Sequence, residues 1–376
     1  MSVTYSSYKP GDIIIYDTDP TSNMTVIPNT NVAEQPAGNR TLLFSDAPEY
    51  VKGQGILYQD TISPTKNSGQ FRVFAYHVNN VGKILYFSIL LTNTSPEPVT
   101  VHITKTAVAG PSTSYTAVGK TAVKRWFNSD VSTTVTISAG QTIFLTNPVA
   151  AQKNQLVHFI VDAVAKGNVI VSVVARNDRK ASLNNLKVLP SGQSSPMRGT
   201  FSTSDYFSFY SADLSGNGQY ASGVAGDSEY LVGYSAVDDH QMVINYGNYG
   251  VLYHTTFQVA PPTVTSAALV LNSRGGTFAT ESYVSLNGIP QGSLIDVPTN
   301  TTSVGTNTLT QGVLLFKNKF SNQTTYTIGI DWMPAGGTNL PVHFIIEPYL
   351  PTNEKLRSFC FICPTFLKKV LEWLRF

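Results

Sequence analysis

Residues 156–178, LVHFIVDAVAKGNVIVSVVARND, decide the fold. The runs 156–164 and 168–178 are β-branched and aromatic, of strand length, and bounded by turn formers, which is how strands read in a sequence. The same texture continues outward on both sides. KILYFSILLTN (83–93), PVTVHITKT (98–106) and STTVTISAGQTIFLTN (132–147) precede it. In the last of these Ala139-Gly140 separates two alternating runs and predicts a tight hairpin, because Gly140 can take a positive φ without steric cost. Beyond residue 200 eight further runs follow: 206–214, 229–237, 250–260, 266–274, 282–288, 311–320, 325–333 and 341–350. The expected fold is all-β: two antiparallel β-sandwich, jelly-roll-like domains, with helix confined to a short C-terminal amphipathic segment.

Between 177 and 200 the pattern breaks into NDRKASLNNLKVLPSGQSSPMRGT, which is polar and holds Pro190 and Pro196. The expected division is therefore an N-terminal sandwich over 1–185, a linker over 186–200, a C-terminal sandwich over 201–352 and a tail over 353–376. A chain of 376 residues is long enough for two cores.

Hydrophobic residues make up 42% and aromatics 11%, ample for real cores, whereas charged residues are only 13%. The exterior must then be covered by Thr, Ser, Asn, Gln and Gly, and repulsion between molecules is weak. A formal net charge of +2 without clustered Lys and Arg argues against nucleic acid. MSVTYSSYKPGDIIIYDTDP has no basic n-region or apolar h-region, so no secretory signal peptide is expected there. No apolar stretch approaches the roughly 18 to 20 residues that span a bilayer, so no transmembrane segment is expected.

Catalytic patterns do not emerge. His77, His102, His158, His240, His254 and His343 are scattered singly, so no metal site and no cofactor are expected. Asp238, Asp239 and His240 are adjacent and suit a turn better than a proton-sharing dyad. DLSGNG (213–218) begins like a calcium loop, but Val224 stands where the bidentate acid belongs. Phosphate-loop and nucleophile-elbow spacings are missing, and Asp238, Asp239, Asp331 and Glu347 are too scattered to pair as a hydrolase's carboxylates. The expectation is a protein that is not an enzyme.

Two stretches invite binding. NYGNYGVLYH (245–254) sets Tyr246, Tyr249 and Tyr253 beside Asn245 and Asn248, stacking surfaces next to amide donors, which suits a glycan. The tail SFCFICPTFLKKVLEWLRF (358–376) differs from everything before it. Phe366, Leu367, Val370, Leu371, Trp373 and Leu374 fall on one side at helical spacing, with Lys368, Lys369, Glu372 and Arg375 on the other. A helix that short needs something to dock on: its own domains, another copy, a partner's groove or a membrane surface. Upstream, Phe359, Cys360, Phe361 and Cys363 make a greasy CxxC, open to intermolecular disulfides or to plain apolar packing.

RTLLFSDAPEYVKGQGILYQDTI (40–62), FRVFAYHVNN (71–80), residues 90–127, GNYGVLYH (247–254) and LVLNSRGGTF (269–278) together resemble β-rich surface proteins of spore-forming Gram-positive bacteria. Members of that family often carry an N-terminal stalk domain of the copper amine oxidase type, absent from this sequence. The resemblance implies a spore-surface or cell-envelope setting and no established activity. The resulting expectation is a non-catalytic structural and interaction protein, joined to itself or to other surface and coat proteins through residues 359–376. The alternative is a carbohydrate-binding module for a cell-wall or spore polysaccharide.

Overall fold

The computed structural model describes residues 5–30, 40–192, 197–214, 218–223, 225–226, 229–260, 266–320 and 325–349. The expected C-terminal helix and the anchor residues Phe359, Cys360, Phe361, Cys363, Phe366, Leu367, Val370, Leu371, Trp373 and Leu374 lie outside the described residues.

The chain is all-β, with 51% of it in strands. Strand Leu156–Ala165 lies between Gln70–Asn79 and Val99–Ser112, antiparallel to both, and all of it but Val164 is buried. Successive side chains of a strand point to opposite faces, and here each face meets its own core. Val157, Phe159 and Val161 pack with Leu85, Phe87, Ile89 and Leu91 of a five-stranded sheet. Leu156 and Ile160, with Phe74 and Tyr76 of the neighbouring strand, pack on the opposite side. The nine-stranded sheet that holds these strands is thus a middle layer, which explains why its central runs are apolar throughout.

Its second face is covered partly by an α-helix, α1, Tyr115–Phe127. This corrects the expectation that helix is confined to the tail. Val118, Ala122 and Trp126, with Val123 and Phe127, recur at four-residue spacing and are buried, but Thr, Val and Gly119 mask the signal by their weak helix propensity. Gly119 has a packing reason: a Cβ there would stand 2.0 Å from the Gly336 carbonyl oxygen. Gly119→Ala should therefore destabilise by about 1–3 kcal/mol despite the better helix propensity of Ala. A denaturation midpoint equal to the parent's would show that α1 can back away freely.

The expected tight hairpin at Ala139-Gly140 is also corrected. Gly140 does take φ +71°. However, Thr133–Ile137 pairs with Val99–Ser112 in the nine-stranded sheet, whereas Thr142–Phe144 pairs with Leu85–Asn93 in the five-stranded one. The glycine turns a corner between layers.

The C-terminal half builds two six-stranded sheets whose facing side chains, among them Leu269, Leu315, Phe344, Phe257, Ile328 and Trp332, join the core under α1. Strands cross the 186–200 segment in both directions. Arg198–Phe201, Leu231–Tyr234 and Met242–Asn245 extend the nine-stranded sheet outward from Thr41–Ser45. Ile13–Ile15 and Thr25–Ile27 join a sheet of the C-terminal half. Pairing is mixed rather than antiparallel: Asp205–Asp213 runs parallel to Leu252–Ala260, and Thr41–Ser45 parallel to Gln70–Asn79. Parallel neighbours need a long crossover, and the strands between Asp205–Asp213 and Leu252–Ala260, namely Tyr220–Ser222, Leu231–Tyr234 and Met242–Asn245, belong to the other six-stranded sheet and to the nine-stranded one.

Candidate functional site

Two clefts open where the middle sheet meets the C-terminal half, and their charges distinguish them. The larger, about 630 Å³, is lined by Arg40, Lys105, Asp162, Asp205, Phe207 and His254 among others. Beneath it Arg72 is fully buried and donates from Nε and Nη2 to the two Asp162 oxygens at 2.7 and 2.9 Å. Arg40 Nη1 lies 3.3 Å from Asp162 and 3.6 Å from Asp205. His254 sits between carboxylates, its Nδ1 2.7 Å from Asp331 and its Nε2 3.4 Å from Asp205, and its ring stacks on Phe207. Burial opposes its charged form, but the two carboxylates outweigh that and lift the imidazole to about 9. Lys105 donates to the carbonyls of Trp126, Phe127 and Ser129 at the C-terminal end of α1, where a cation is favoured. Each of these charges already has its partner, which marks a structural network.

The smaller cleft, about 300 Å³, is lined by Asp46, Glu49, Phe74, Tyr76, Tyr115 and Tyr249, with Thr116 and the backbone of Gly336 and Gly337. Asp46 and Glu49 come from the loop that leaves strand Thr41–Ser45, Tyr76 from strand Gln70–Asn79, and Tyr115 from the first turn of α1. Tyr249 stands in the turn before Leu252–Ala260. The Asn245 side chain clamps that turn, donating to the Tyr249 carbonyl at 2.9 Å and accepting its N–H at 3.1 Å. The Tyr249 hydroxyl donates to the Thr338 carbonyl. Gly336 and Gly337 keep the cleft open, since a Cβ at either would meet Tyr76 at 2.6 or 2.8 Å.

Here the charges are not matched. Among the described residues no Lys, Arg or His lies within ion-pair distance of Asp46 or Glu49. Asp46 Oδ1 is buried with no hydrogen-bond partner. Burial, and then the nearby Glu49, push the Asp46 carboxyl well above the usual carboxylate range. Glu49 is raised by burial alone. Burial first, then both carboxylates, also push the Tyr76 hydroxyl up. A site of this kind stabilises a positive ligand and disfavours an anion.

The residues expected to bind a glycan are placed unequally. Tyr253 is 0% exposed, its ring stacked on Trp332 at 4.2 Å and its hydroxyl 2.7 Å from Asn248 Nδ2. Asn245 and Asn248 are buried as well and hold backbone groups. Tyr249 reaches the cleft, and Tyr246, 55% exposed, lines a neighbouring depression with Tyr249, Arg274 and Asn339. Asp46, Glu49, Tyr76 and Tyr115 had no sequence signal: the loop with the two acids, the strand with Tyr76 and the helix with Tyr115 are far apart in the chain, and the fold brings them together. Asp238 occupies a turn, as its neighbours suggest, and takes a bidentate contact from Arg198 at 2.7 and 2.6 Å. Among the described residues no helix is long and apolar enough to cross a membrane, and no group of three or more His, Cys, Asp or Glu could hold a metal ion.

Fold and clefts together define an all-β protein of stacked, strand-exchanging sheets. No family model and no curated protein matches the chain. Solved structures with some likeness include the secreted serine protease VesC from Vibrio cholerae, at 11% identity and TM-score 0.19 over 74% of this chain and 51% of that one. Another is the mosquito-larvicidal Cry4Aa toxin from Bacillus thuringiensis, at 9% identity and TM-score 0.20 over 71% and 52%. A third is the N-terminal CBM22 tandem of Xyn10C from Paenibacillus barcinonensis, at 10% identity and TM-score 0.13 over 84% and 92%. The chain spans about half the length of the first two. TM-scores this low assign neither a family nor an activity.

Proposed function

We propose that this chain is a non-catalytic structural and interaction protein of a bacterial spore or cell-surface assembly, built as two fused jelly-roll-like sandwiches that contact copies of themselves or other coat proteins. The observation that supports this reading is the hairpin of Leu231–Tyr234 and Met242–Asn245. It forms the outer edge of the nine-stranded sheet. Val232, Tyr234 and Met242 are each more than half exposed and share one face, Tyr234 lying directly opposite Met242. An apolar face on an edge strand favours association unless something covers it, and a surface with 13% charged residues does little to oppose contact. The resemblance to β-rich surface proteins of spore formers points the same way.

Sedimentation of the full chain, of a Val232→Thr/Tyr234→Ser/Met242→Ser variant and of a chain ending at residue 352 tests this. The hairpin variant should weaken self-association, or retention in an envelope fraction, by about tenfold or more, since three exposed apolar side chains at an interface each contribute on the order of 1 kcal/mol. The shortened chain should remain folded and lose the same behaviour if residues 359–376 anchor it. Identical behaviour of all three would remove the assembly reading.

A second reading, polysaccharide binding, is supported by the cleft of Tyr76, Tyr115 and Tyr249. Aromatic walls with a few polar groups are the usual make-up of a sugar site.

A further inference from the structure

We propose that the cleft between Tyr76, Tyr115 and Tyr249 takes a pyranose bearing a free ammonium group, that is, an amino-sugar unit that is not N-acetylated. This rests on the polysaccharide-binding reading and names its substrate class. The first argument is charge. Asp46 and Glu49 face the cleft with no cation among the described residues to pair with either. An unpaired buried carboxyl is relieved either by taking up a proton or by gaining a cation, and a ligand ammonium in the cleft would supply the cation.

The second argument is the state of one atom. Asp46 Oδ1 is buried without a hydrogen-bond partner; buried polar atoms are rarely left so, and a ligand donor in the cleft would complete it. His158, packed edge-on against Phe74 and Tyr76, adds no charge, because burial and then the neighbouring His77 hold it down to about 3.

Shape selects the rest of the ligand. Aromatic walls such as those that Tyr76 and Tyr115 give the cleft suit both the C–H face of a sugar ring and an ammonium group, while Tyr249 packs beside Phe44 and Phe74. A volume of about 300 Å³ is at the small end of ligand pockets, and the glycine pair that preserves it leaves backbone groups for ring hydroxyls. A bare divalent metal is a poorer fit, because calcium takes six to eight oxygens and two carboxylates supply too few.

Calorimetry on the full chain tests the proposal, with β-1,4-linked glucosamine trimer, its N-acetylated counterpart and a short oligolysine as probes. The unacetylated trimer should bind about tenfold or more tighter than the acetylated one, the worth of one charge-assisted hydrogen bond. Asp46→Asn/Glu49→Gln should erase that preference with no loss of melting temperature. Glu49→Gln alone, at a half-buried position, should reduce it if the double variant does not fold. Equal binding of both trimers would overturn the ammonium assignment and leave polysaccharide binding standing. Binding of neither would overturn both. Oligolysine binding as tightly as the glucosamine trimer would overturn the sugar class.

Discussion

Arg72→Leu should cost the folded state about 3–5 kcal/mol, or leave the chain insoluble. Arg72 is 0% exposed within strand Gln70–Asn79, and it donates from Nε and Nη2 to the two oxygens of the Asp162 carboxylate. Its Nη1 reaches the carbonyls of Ser204 and Gly250 at 3.1 and 2.9 Å, in the segments that open Asp205–Asp213 and Leu252–Ala260. The guanidinium lies 4.4 Å from the Trp126 ring. One side chain therefore joins the middle sheet, α1 and a sheet of the C-terminal half. Removing one member of a buried ion pair strands the other, which costs about 3–5 kcal/mol, and two carbonyls would lose donors as well. Arg72→Lys should recover less than half of that loss, because a single ammonium cannot reproduce the planar fork. Arg40→Gln should cost under about 1 kcal/mol, since its contacts at 3.3 and 3.6 Å are long and partly solvated. Urea midpoints decide it: an Arg72→Leu protein within 1 kcal/mol of the parent would mean that the halves are held by apolar packing alone.

How much of this was legible in the sequence depends on whether a local pattern was enough. In 156–165 the β-branched run names a strand correctly, but a strand buried on both faces reads the same in one sandwich or in a shared middle layer. The strand exchange around residues 198–201 and 13–15 therefore leaves no trace in the residues themselves. The phrase 245–254 shows the limit more sharply. Tyr249 and Tyr253 look equivalent in it, yet strand alternation begins only at Leu252 and sends Tyr253 into the core against Trp332. Tyr249 sits in a turn, followed by Gly250 at φ +79°, and escapes that period. Asp46 and Glu49 are ordinary loop acids in sequence. Their missing counter-charge is a property of the folded surroundings.

Stability should also fall by about 2–4 kcal/mol as the pH rises from about 6 to about 9, with its maximum near the acid end of that range. Three groups drive most of the fall, and Asp46, pushed up by burial and then by Glu49, acts in the same direction. Glu281 is fully buried, neither of its carboxyl oxygens has a hydrogen-bond partner, and burial followed by the charge of Asp296 pushes it to about 8. Asp296 is itself held by Lys120 at 2.5 Å, while Lys124 stays 3.8 Å from Glu281. Glu347, buried beside Tyr16 and Gln219, is pushed up to about 7 by burial. For both acids the unfolded chain gives up its proton first, so each step of pH above the usual carboxylate range favours unfolding until the folded value is passed. His254 acts in the same direction by the opposite route. Burial opposes its charge, but Asp205 and Asp331 raise it to about 9, so its stabilisation is complete below the ordinary imidazole value and is lost as the pH climbs through about 9. Partial exposure of His254 and Asp331 lets solvent screen that pair and reduces its contribution. On the acid side burial lowers His77 to about 4 and His158 to about 3, and both withdraw stability as the pH falls below the ordinary imidazole range. Glu281→Gln should therefore gain most at pH 8 and flatten the profile below it, whereas His254→Gln should lose stability at pH 6 and flatten the profile above 7. Urea midpoints at pH 6, 7.5 and 9 separate the two variants. A parent whose midpoint is level or rises across that range would refute the assignment, and a Glu281→Gln protein with the parent's full slope would move the titration to another group.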